Sequence, residues 1–365
     1  MFHVKHVNIW KLVNLMGKFY DGTKLLSLKD INGNTPEIYI CTSNRSAGKT
    51  VYFNKYAINR FLKYNEKFCL IYRFNYELDN ISEKFFKDIE TLFFNGYAML
   101  SERRASGIYH ELFLLKPGEE IAKSCGYAIS LNSADQIKKY SHMFSDTVRM
   151  IFDEFQSETN HYCNDEVKKF ISVHMSIARG GGKSSRYLPV YMISNPVSML
   201  NPYYTQLGIS ERLRNNTKFL RGNGFVMEQG YVEAASTAQL ESGFNKAFSQ
   251  DKYLAYSTQN VYLNDSTNFV EKIKGKSYYL CTLKYNGRHY GIREYPETGI
   301  VYCDDNADMT NKNKITVTTD DHEVNYVMLK RNEFFLQNLR YYFEHGSFRF
   351  KNLSCKEAVL KALSY

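Results

Sequence analysis

The segment SNRSAGKT, at residues 43–50, constrains the fold of this chain more than any other. It ends in Gly-Lys-Thr, as the phosphate-binding pattern G-x-x-x-x-G-K-[ST] does, although Ser43 stands where that pattern has its first glycine. Residues 37–42 predict a short buried strand before it, and apolar residues at helical spacing predict a helix after it, namely Phe53, Tyr56, Ala57, Phe61 and Tyr64. A strand at 68–74 completes a βαβ unit whose first turn holds the loop.

A phosphate-binding loop of this kind gives its residues distinct roles. Backbone N–H groups and the helix N-terminus face the phosphates of ATP, Lys49 reaches the β- and γ-phosphates, and the Thr50 hydroxyl ligates Mg²⁺. Gly48 is needed where the backbone approaches phosphate most closely, whereas the first position only starts the turn and tolerates serine. The predicted nucleotide contacts are Ser43, Asn44, Arg45, Ser46, Ala47, Gly48, Lys49 and Thr50. The alternative is a helix N-terminus that contains Gly-Lys-Thr by chance.

A second glycine-rich stretch, GGGKSS at residues 180–185, lacks this context. It follows residues 166–178, whose apolar positions have helical spacing, and no strand leads into it. Ile177 also occupies the position of the first glycine. The sequence therefore predicts a surface loop here and not a second phosphate site.

The acids that a nucleotide site needs lie at the carboxyl end of another predicted strand, at 148–154. Asp153 would lie at the carboxyl end of this strand, where it can hold Mg²⁺ through the hydration shell of the metal. Glu154 beside it can polarise the attacking water, so the pair is typical of a Walker B motif. The alternative is a strand end capped by solvated charges.

A further strand, at 189–195, ends in two short polar residues, Ser194 and Asn195. Their side chains would lie near the same edge of the sheet and could sense the γ-phosphate. Turn formation before Pro196 explains the same residues, and this alternative stays open.

The composition favours an acidic binding partner but does not identify it. The chain has 365 residues, enough for two or three domains, and a formal net charge of +9. Nucleic acid is the usual partner of a basic protein. However, 30 Tyr and 25 Phe, with many Lys, Asn and Ile, are also what AT-rich codons would supply.

Cysteines and apolar runs exclude two other classes of protein. The seven cysteines are scattered and never form a C-x-x-C pair, which favours a reducing cytosol over a disulfide framework or a zinc site. No apolar run approaches the ~20 residues of a membrane span, and residues 1–20 lack the apolar core of a signal peptide. The sequence therefore predicts a soluble protein without a membrane partner.

Several motifs, taken in order, resemble one known family. These are residues 43–78, IFDEF at 151–155 and ISNPVSMLNPYY at 193–204, with weaker matches at 285–287, 299–302, 318–321 and 346–350. They are similar to the DNA-packaging ATPases of phi-twenty-nine-like small tailed phages, which are related to terminase large subunits of the ASCE P-loop class. The family has glycine where this chain has Ser43 and Ser46, so the loop geometry is where the two are expected to differ.

The resemblance implies a motor with several partners. Proteins of this family form homo-oligomeric rings, commonly pentameric, on the portal of a viral prohead in the host cytoplasm. They drive double-stranded DNA inward by hydrolysing ATP, and several use a structural packaging RNA as an adaptor. The family's trans-acting arginine corresponds to Arg179, with Arg186 as the alternative, and Arg45 corresponds to a loop arginine that contacts phosphates within the same subunit.

The same resemblance implies an α/β P-loop ATPase domain with a mostly parallel sheet, followed by a smaller RNase H-like α+β domain. The predicted boundaries are 1–234 for the ATPase, 235–268 for a linker with some helix, and 269–365 for the second domain. In the second domain, strands at 278–284, 290–293 and 299–302 predict a meander, followed by helices near 333–345 and 355–363.

Nuclease activity is not expected of this second domain. Two-metal cleavage needs converging carboxylates, the first usually on the opening strand, and residues 278–284 contain no acid. Asp304 and Asp305 follow a later strand, and Asp320 and Asp321 lie at a predicted helix start, where N-capping accounts for them.

Basic residues near the first C-terminal hairpin are candidate DNA contacts. Phosphate contacts carry no sequence information, which suits a motor that must move any sequence. The candidates are Lys272, Lys274, Lys276, Lys284, Arg288 and Arg293. A solvated hairpin face explains them equally well.

Three other functions remain open from the sequence. One is a terminase that also cuts DNA, and another is a P-loop helicase or AAA-like remodeller. The third is a nucleotide-gated DNA-binding protein that hydrolyses ATP too slowly to do work.

Overall fold

The computed structural model of the chain describes residues 19–179, 185–214, 216–259, 262–263, 265, 268–329 and 333–364. Contacts between residues divide the chain into two compact units. The first comprises residues 1–198 and 213–264, and the second comprises residues 199–212 and 265–365. The domain boundaries at residues 234 and 268 stay predictions, and residues 235–264 of the predicted linker group with the first unit.

The described residues form the helices and strands that follow, numbered along the chain. The helices are α1 (Thr23–Ser27), α2 (Lys49–Tyr64), α3 (Ile81–Phe93), α4 (Ala134–Lys139), α5 (Glu166–Ile177), α6 (Pro202–Gln206), α7 (Glu233–Leu240), α8 (Gly243–Ala247), α9 (Lys252–Gln259), α10 (Glu333–Glu344) and α11 (Leu353–Leu363). The strands are β1 (Ile38–Thr42), β2 (Lys67–Tyr72), β3 (Ala98–Arg104), β4 (Tyr109–Leu115), β5 (Lys123–Ser130), β6 (Thr147–Asp153), β7 (Val190–Ser194), β8 (Phe219–Gly222), β9 (Phe225–Gln229), β10 (Tyr278–Tyr285), β11 (Arg288–Tyr295), β12 (Ile300–Asp304), β13 (Lys314–Thr316), β14 (Val327–Met328) and β15 (Phe348–Phe350).

The first unit is built around a nine-stranded sheet, in the order β3-β4-β5-β2-β6-β7-β1-β9-β8. Neighbouring strands from β5 to β9 are parallel, while β3, β4 and β8 add antiparallel pairs at the edges. The central strands are apolar and buried along most of their length, as expected for parallel strands. The predicted α/β fold with a mostly parallel sheet is confirmed.

The predicted βαβ unit is present as β1, α2 and β2, with β7 and β6 lying between its two strands. Helix α2 forms because its apolar residues share one face, and it buries Phe53, Ala57 and Phe61 as predicted. The Phe53 ring lies 5.3 Å from that of Tyr191 on β7, centroid to centroid, which fixes the helix against the sheet. The helix ends at Asn65, whose φ of 55° is left-handed.

The register of the parallel strands places their carboxyl ends side by side. Thr42, at the end of β1, is level with Ser194 of β7 on one side and with Gln229 of β9 on the other. Asp153, at the end of β6, is level with Ile193 of β7. The loop after β1 and the acids of β6 therefore meet at one edge of the sheet.

The second unit contains a six-stranded sheet, in the order β14-β13-β10-β11-β12-β15. Strands β10, β11 and β12 form the predicted antiparallel meander, and β13, β14 and β15 join in parallel. Helices α10 and α11 match the two predicted helical segments, so this unit is α+β. The predicted helix start at Asp320 and Asp321 is wrong, since these residues lie in a turn.

All seven cysteines are buried and none forms a disulfide. Within the part of the chain that the structure describes, no helix is long and apolar enough to cross a membrane.

Candidate nucleotide-binding site

The loop between β1 and α2 has a backbone that explains its departures from the glycine pattern. Gly48 has a φ of 88°, and a Cβ there would lie 3.0 Å from the Phe19 ring, so this position requires glycine. Ser46 also has a positive φ, of 58°, which is less favourable for serine than for glycine. Ser43 has no positive φ, and it is buried near Gly230. The backbone at residue 43 therefore does not need a glycine.

Lys49 lies at the centre of the loop with its ammonium group surrounded by acceptors. Its Nζ donates to the carbonyl oxygens of Ser43 (3.1 Å) and Asn44 (3.2 Å) and to Oδ1 of Asn195 (3.0 Å). Burial lowers the pKa of Lys49, and the nearby Cys41 and Asp153 oppose that shift. The loop thus holds a buried cation among oxygens at the start of α2.

Asp153 joins this lysine from the end of β6. Its Oδ2 accepts a hydrogen bond from the Thr50 hydroxyl at 2.9 Å, and its Oδ1 accepts one from the Glu154 N–H at 2.9 Å. Burial raises the pKa of Asp153, while Thr50, the Glu154 N–H and Lys49 favour its charged form. The predicted pair of a loop hydroxyl and a strand-end carboxylate is therefore brought together.

Glu154 is placed differently from its neighbour. It has a left-handed φ of 53°, which turns the chain out of β6, and its side chain is exposed and has no hydrogen-bond or ion-pair partner among the described residues. Loss of water around the carboxyl in the cleft raises the pKa of Glu154, and the charge of Asp153 adds to this. An acid with a raised pKa beside a phosphate loop is a candidate base for water.

Of the two polar residues at the end of β7, Asn195 contacts the phosphate loop, through the bond from Lys49 described above. The Ser194 hydroxyl donates to the carbonyl oxygen of Asn195 at 2.8 Å, which is turn geometry. The sensing roles of both residues stay predictions.

The Arg45 side chain forms an ion pair and does not extend freely toward the predicted phosphate position. Its guanidinium pairs with Glu158 at 2.6 Å, and its backbone N–H donates to the carbonyl of Ser257 at 2.9 Å. Glu158 also accepts from the hydroxyls of Tyr256 (2.7 Å) and Tyr253 (3.2 Å). The phosphate contact of Arg45 stays a prediction. To make this contact, Arg45 would have to leave Glu158.

A buried ion pair that the sequence did not predict holds the turn that carries Glu154. Arg73, just after β2, donates from Nε to Glu166 at 2.8 Å and from Nη2 to the carbonyls of Phe155 (2.8 Å) and Glu154 (3.3 Å). Both side chains of the ion pair are less than a tenth exposed. Arg73 therefore links three segments of the chain behind the two acids.

We expect Arg73→Met to lower the free energy of unfolding by about 3–5 kcal/mol, because it leaves the Glu166 carboxylate buried without its partner. Arg103→Met is the matched control, since the Arg103–Asp79 pair is largely exposed and is worth at most about 1 kcal/mol. Urea unfolding of the two variants measures the difference. Equal losses of stability would contradict a structural role for the buried pair.

Arg179 and Arg186 lie near the amino ends of the parallel strands, whereas the loop and the two acids lie at their carboxyl ends. Arg186 donates to the carbonyl oxygens of Ile177 (3.0 Å), Phe144 (3.3 Å) and Thr147, the first residue of β6. Arg179 follows α5, is exposed, and has no side-chain partner among the described residues. The adjoining glycine-rich loop, residues 180–184, lies outside the described residues. Arg186 is thus bound to its own chain, which leaves Arg179 as the better candidate for a contact outside it.

Three of the six basic residues proposed for DNA contact are paired within the second unit. Lys284 pairs with Glu323 at 3.1 Å, Arg293 pairs with Asp304 at 2.8 Å, and Arg288 bonds Glu211 and the carbonyl of Thr205. The other three are exposed: Lys272, Lys274 and Lys276. DNA contact by any of the six stays a prediction.

The aspartates considered above as metal ligands are held by separate partners. Asp304 pairs with Arg293, Asp305 bonds Lys351, and Asp321 accepts from the N–H groups of Asn286 and Gly287 and from the Thr318 hydroxyl. Across the described residues, no group of three or more His, Cys, Asp or Glu side chains is placed to hold a metal.

A sequence model of the podovirus DNA encapsidation protein (Gp16) family matches residues 16–363. The DNA packaging protein of Bacillus phage phi29 is 27% identical over 338 residues, which cover 92% of this chain and 93% of that protein. The DNA packaging protein of Bacillus phage B103 is 25% identical over 312 residues, covering 84% and 90% of the two chains.

Two solved structures share the fold. One is from the genome packaging motor assembly of bacteriophage Phi-29, with a TM-score of 0.65 and 23% identity, and covers 95% of this chain and 98% of that one. The other is the Phi-28 gp11 DNA packaging motor, with a TM-score of 0.58 and 16% identity, and covers 96% and 99%. The fold is therefore shared along nearly the whole chain.

Proposed function

The chain belongs to the podovirus DNA encapsidation protein (Gp16) family, and we propose that it is an ATP-driven translocase that packages viral double-stranded DNA. Its relatives named as DNA packaging proteins support this reading. The observation that carries the proposal is the convergence of Lys49, Thr50 and Asp153 at one edge of a parallel sheet. This set of groups can bind a nucleoside triphosphate and a divalent cation.

ATP would occupy the loop through its phosphates. The three oxygens that now accept from Lys49 would give way to β- and γ-phosphate oxygens, to which a buried ammonium binds strongly. The Thr50 hydroxyl and the Asp153 carboxylate, 2.9 Å apart, fit Mg²⁺, which prefers oxygen ligands. A Mg²⁺ ion held by these two residues would neutralise negative charge that develops on the phosphates during hydrolysis.

Hydrolysis also requires a group that activates water. Glu154 fills this role, because its carboxyl has no hydrogen-bond or ion-pair partner in the described part of the chain and it lines a cavity together with Arg45 and Asn195. The positive φ of Glu154 and the hydrogen bonds from Arg73 to the carbonyls of this turn hold the backbone that carries the carboxyl. Water positioned and polarised by such a group attacks the γ-phosphorus.

The proposed assembly is a homo-oligomeric ring, commonly pentameric in the family that the sequence resembles, attached to the viral portal in the host cytoplasm. Arg179 would contact the nucleotide of a neighbouring subunit. Lys272, Lys274 and Lys276, which are exposed, would contact DNA phosphates without reading sequence. A structural packaging RNA is a further candidate partner.

The second unit is proposed to be an RNase H-like domain without nuclease activity. Its opening strand, β10, contains no acid, and Asp304, Asp305 and Asp321 are each engaged by different partners. Two-metal cleavage requires acids that hold metals about 3.5–4 Å apart. This distribution of acids supports translocation without cutting over a terminase that also cleaves DNA.

Steady-state ATPase assays with and without duplex DNA test the proposed function. A translocase should hydrolyse ATP faster when DNA is present, since its work is done on DNA. A DNA-binding protein that is only gated by nucleotide would hydrolyse ATP slowly under both conditions, and this result would overturn the motor proposal in favour of the non-motor alternative.

We expect Lys49→Ala to abolish tight ATP binding, because it removes the cation that faces the β- and γ-phosphates. Lys63→Ala, in the last turn of the same helix, is the control and should bind ATP normally. Isothermal calorimetry measures both affinities. Normal ATP affinity in Lys49→Ala would mean that the loop is not the nucleotide site.

A further inference from the structure

Helix α8 buries none of its residues, although it carries an aromatic side chain. Phe244 on this helix and Phe248 just after it are 74% and 55% exposed, and their ring centroids lie 5.0 Å apart. Residues four positions apart share one face of a helix, so the two rings form one apolar surface, which we call the aromatic patch. Contiguous exposed apolar surface of this kind marks an interaction site in soluble proteins.

The aromatic patch lies beside the phosphate-binding loop. Its two rings line a cavity of about 370 Å³ together with Arg45 of the loop and Asp251. Gln239 lines the same cavity and donates to the Ser46 hydroxyl of the loop at 2.8 Å. A molecule that covers the aromatic patch would therefore lie next to the loop.

A second exposed apolar surface lies on α5. Ile171 and Met175, four residues apart on one face of this helix, are 44% and 53% exposed. The exposed Lys168 precedes them on that face. Ala178 keeps right-handed helical backbone angles, so the exposed Arg179 continues the spacing beyond Met175. The α5 stripe, made of Lys168, Ile171, Met175 and Arg179, therefore has an apolar centre between two cations.

The two surfaces do not cover each other within one chain, since both are exposed in it. They also differ in charge, because the exposed acids Glu241 and Asp251 flank the aromatic patch, whereas the α5 stripe ends in cations. Opposite charges around two apolar centres favour contact between them. Since the two surfaces are unlike, a contact between copies of the chain would be heterologous, which joins subunits head to tail and can close a ring.

We infer that the α5 stripe of one subunit docks on the aromatic patch of a neighbouring subunit. This inference rests on the proposed function, in which Arg179 contacts the nucleotide of a neighbour. Met175 and Arg179 are about 6 Å apart along the helix axis. Docking of Met175 on the two rings therefore places Arg179 near the cavity that Arg45 lines. The aromatic patch receives the neighbour, and burial of its rings drives the contact.

Cross-linking tests this contact directly. Met175→Cys and Phe248→Cys, combined in the full chain and oxidised in the presence of Mg·ATPγS, should give a ladder of covalent oligomers. A mixture of the two single variants should give dimers only, because each chain then carries one half of the contact. The native cysteines are all buried, so the introduced thiols are the accessible ones. Ile121→Cys with Phe248→Cys is the control and should give no ladder, since Ile121 is exposed on the loop between β4 and β5.

Charged substitutions test what drives the contact. Phe248→Glu should weaken subunit association on the order of 10–100-fold, as loss of one buried aromatic side chain does, and leave ATP affinity unchanged. Met175→Lys should weaken association as well, and the two substitutions together should restore part of it, because the new charges pair across the contact. Lys246→Ala alters an exposed residue of α8 that does not share the face of the two rings, and it should have no effect. Sedimentation velocity measures association, and calorimetry measures ATP affinity.

Each result has one interpretation. Absence of the cross-link between positions 175 and 248 in a chain that binds ATP normally would overturn the inference and leave the proposed nucleotide site intact. An equal ladder from the control pair would also overturn it, since that pattern indicates random collision. Loss of ATP binding in Phe248→Glu would do the same, because it indicates damage to the site. Failure of the unaltered chain to bind ATP would overturn the proposed function itself.

Discussion

Glu154→Gln is expected to bind Mg·ATP with unchanged affinity and to hydrolyse it about 10²–10⁴-fold more slowly. The substitution keeps the size of the side chain but removes the group that takes up the proton of the attacking water. Glu154 makes no side-chain hydrogen bond or ion pair within the described part of the chain, so its replacement should not disturb the fold. Calorimetry gives the affinity, and steady-state phosphate release gives the rate.

Asp153→Asn separates the two acids. Asp153 accepts from Thr50 and faces the predicted metal site, so its amide variant should weaken the Mg²⁺ dependence of binding as well as the rate. Glu83→Gln, an exposed acid in the first turn of α3, is the control for glutamate replacement in general. Identical defects in Asp153→Asn and Glu154→Gln would mean that the roles are not divided as proposed.

The pH dependence of hydrolysis follows from the same carboxyl. Partial desolvation and the charge of Asp153 raise the pKa of Glu154, and the base acts only when it is deprotonated. The rate should therefore fall with decreasing pH at values above the usual glutamate range. In Glu154→Gln this limb of the pH profile should be absent, because glutamine does not titrate.

The loop, the acids and the sheet were predictable because each leaves a local pattern. An apolar run ending in polar residues marks a parallel strand, and parallel strands bring their carboxyl ends to one edge. Asp153 and Asn195 lie at the ends of β6 and β7, and they meet Lys49, which follows the loop after β1, as that rule requires. The prediction that the loop binds a nucleotide rests on the Gly-Lys-Thr at the start of α2.

The supporting contacts could not be predicted because they join distant residues without a periodic signal. Arg73 and Glu166 are 93 positions apart, and each looks like an ordinary surface charge in the sequence. Helix α7 has few apolar residues, so its composition indicates a linker. In the structure Gln239 of α7 donates to the Ser46 hydroxyl at 2.8 Å, which places this helix against the loop.

Arg179→Ala is expected to slow ATP hydrolysis by roughly 10³–10⁵-fold in the assembled ring, the range that arginine fingers supply by offsetting transition-state charge. Arg179 lies two residues after Ile177, whose carbonyl shares the Arg186 guanidinium with the carbonyl of Thr147 at the amino end of β6. The six residue steps from Thr147 to Asp153, at the carboxyl end of β6, span about 20 Å, so we expect Arg179 not to reach the site of its own subunit. In a head-to-tail ring it can reach the site of a neighbour.

Mixing two inactive variants distinguishes this trans role from any other cause of inactivity. In rings assembled from equal amounts of Arg179→Ala and Glu154→Gln, about a quarter of the interfaces join an intact Glu154 to an intact Arg179, and ATPase activity should partly return. Arg186→Ala is the contrasting variant, because Arg186 bonds carbonyls of its own chain and its loss should reduce stability without complementation. Full activity of Arg179→Ala alone, with no gain on mixing, would show that Arg179 is a solvated residue near a helix end.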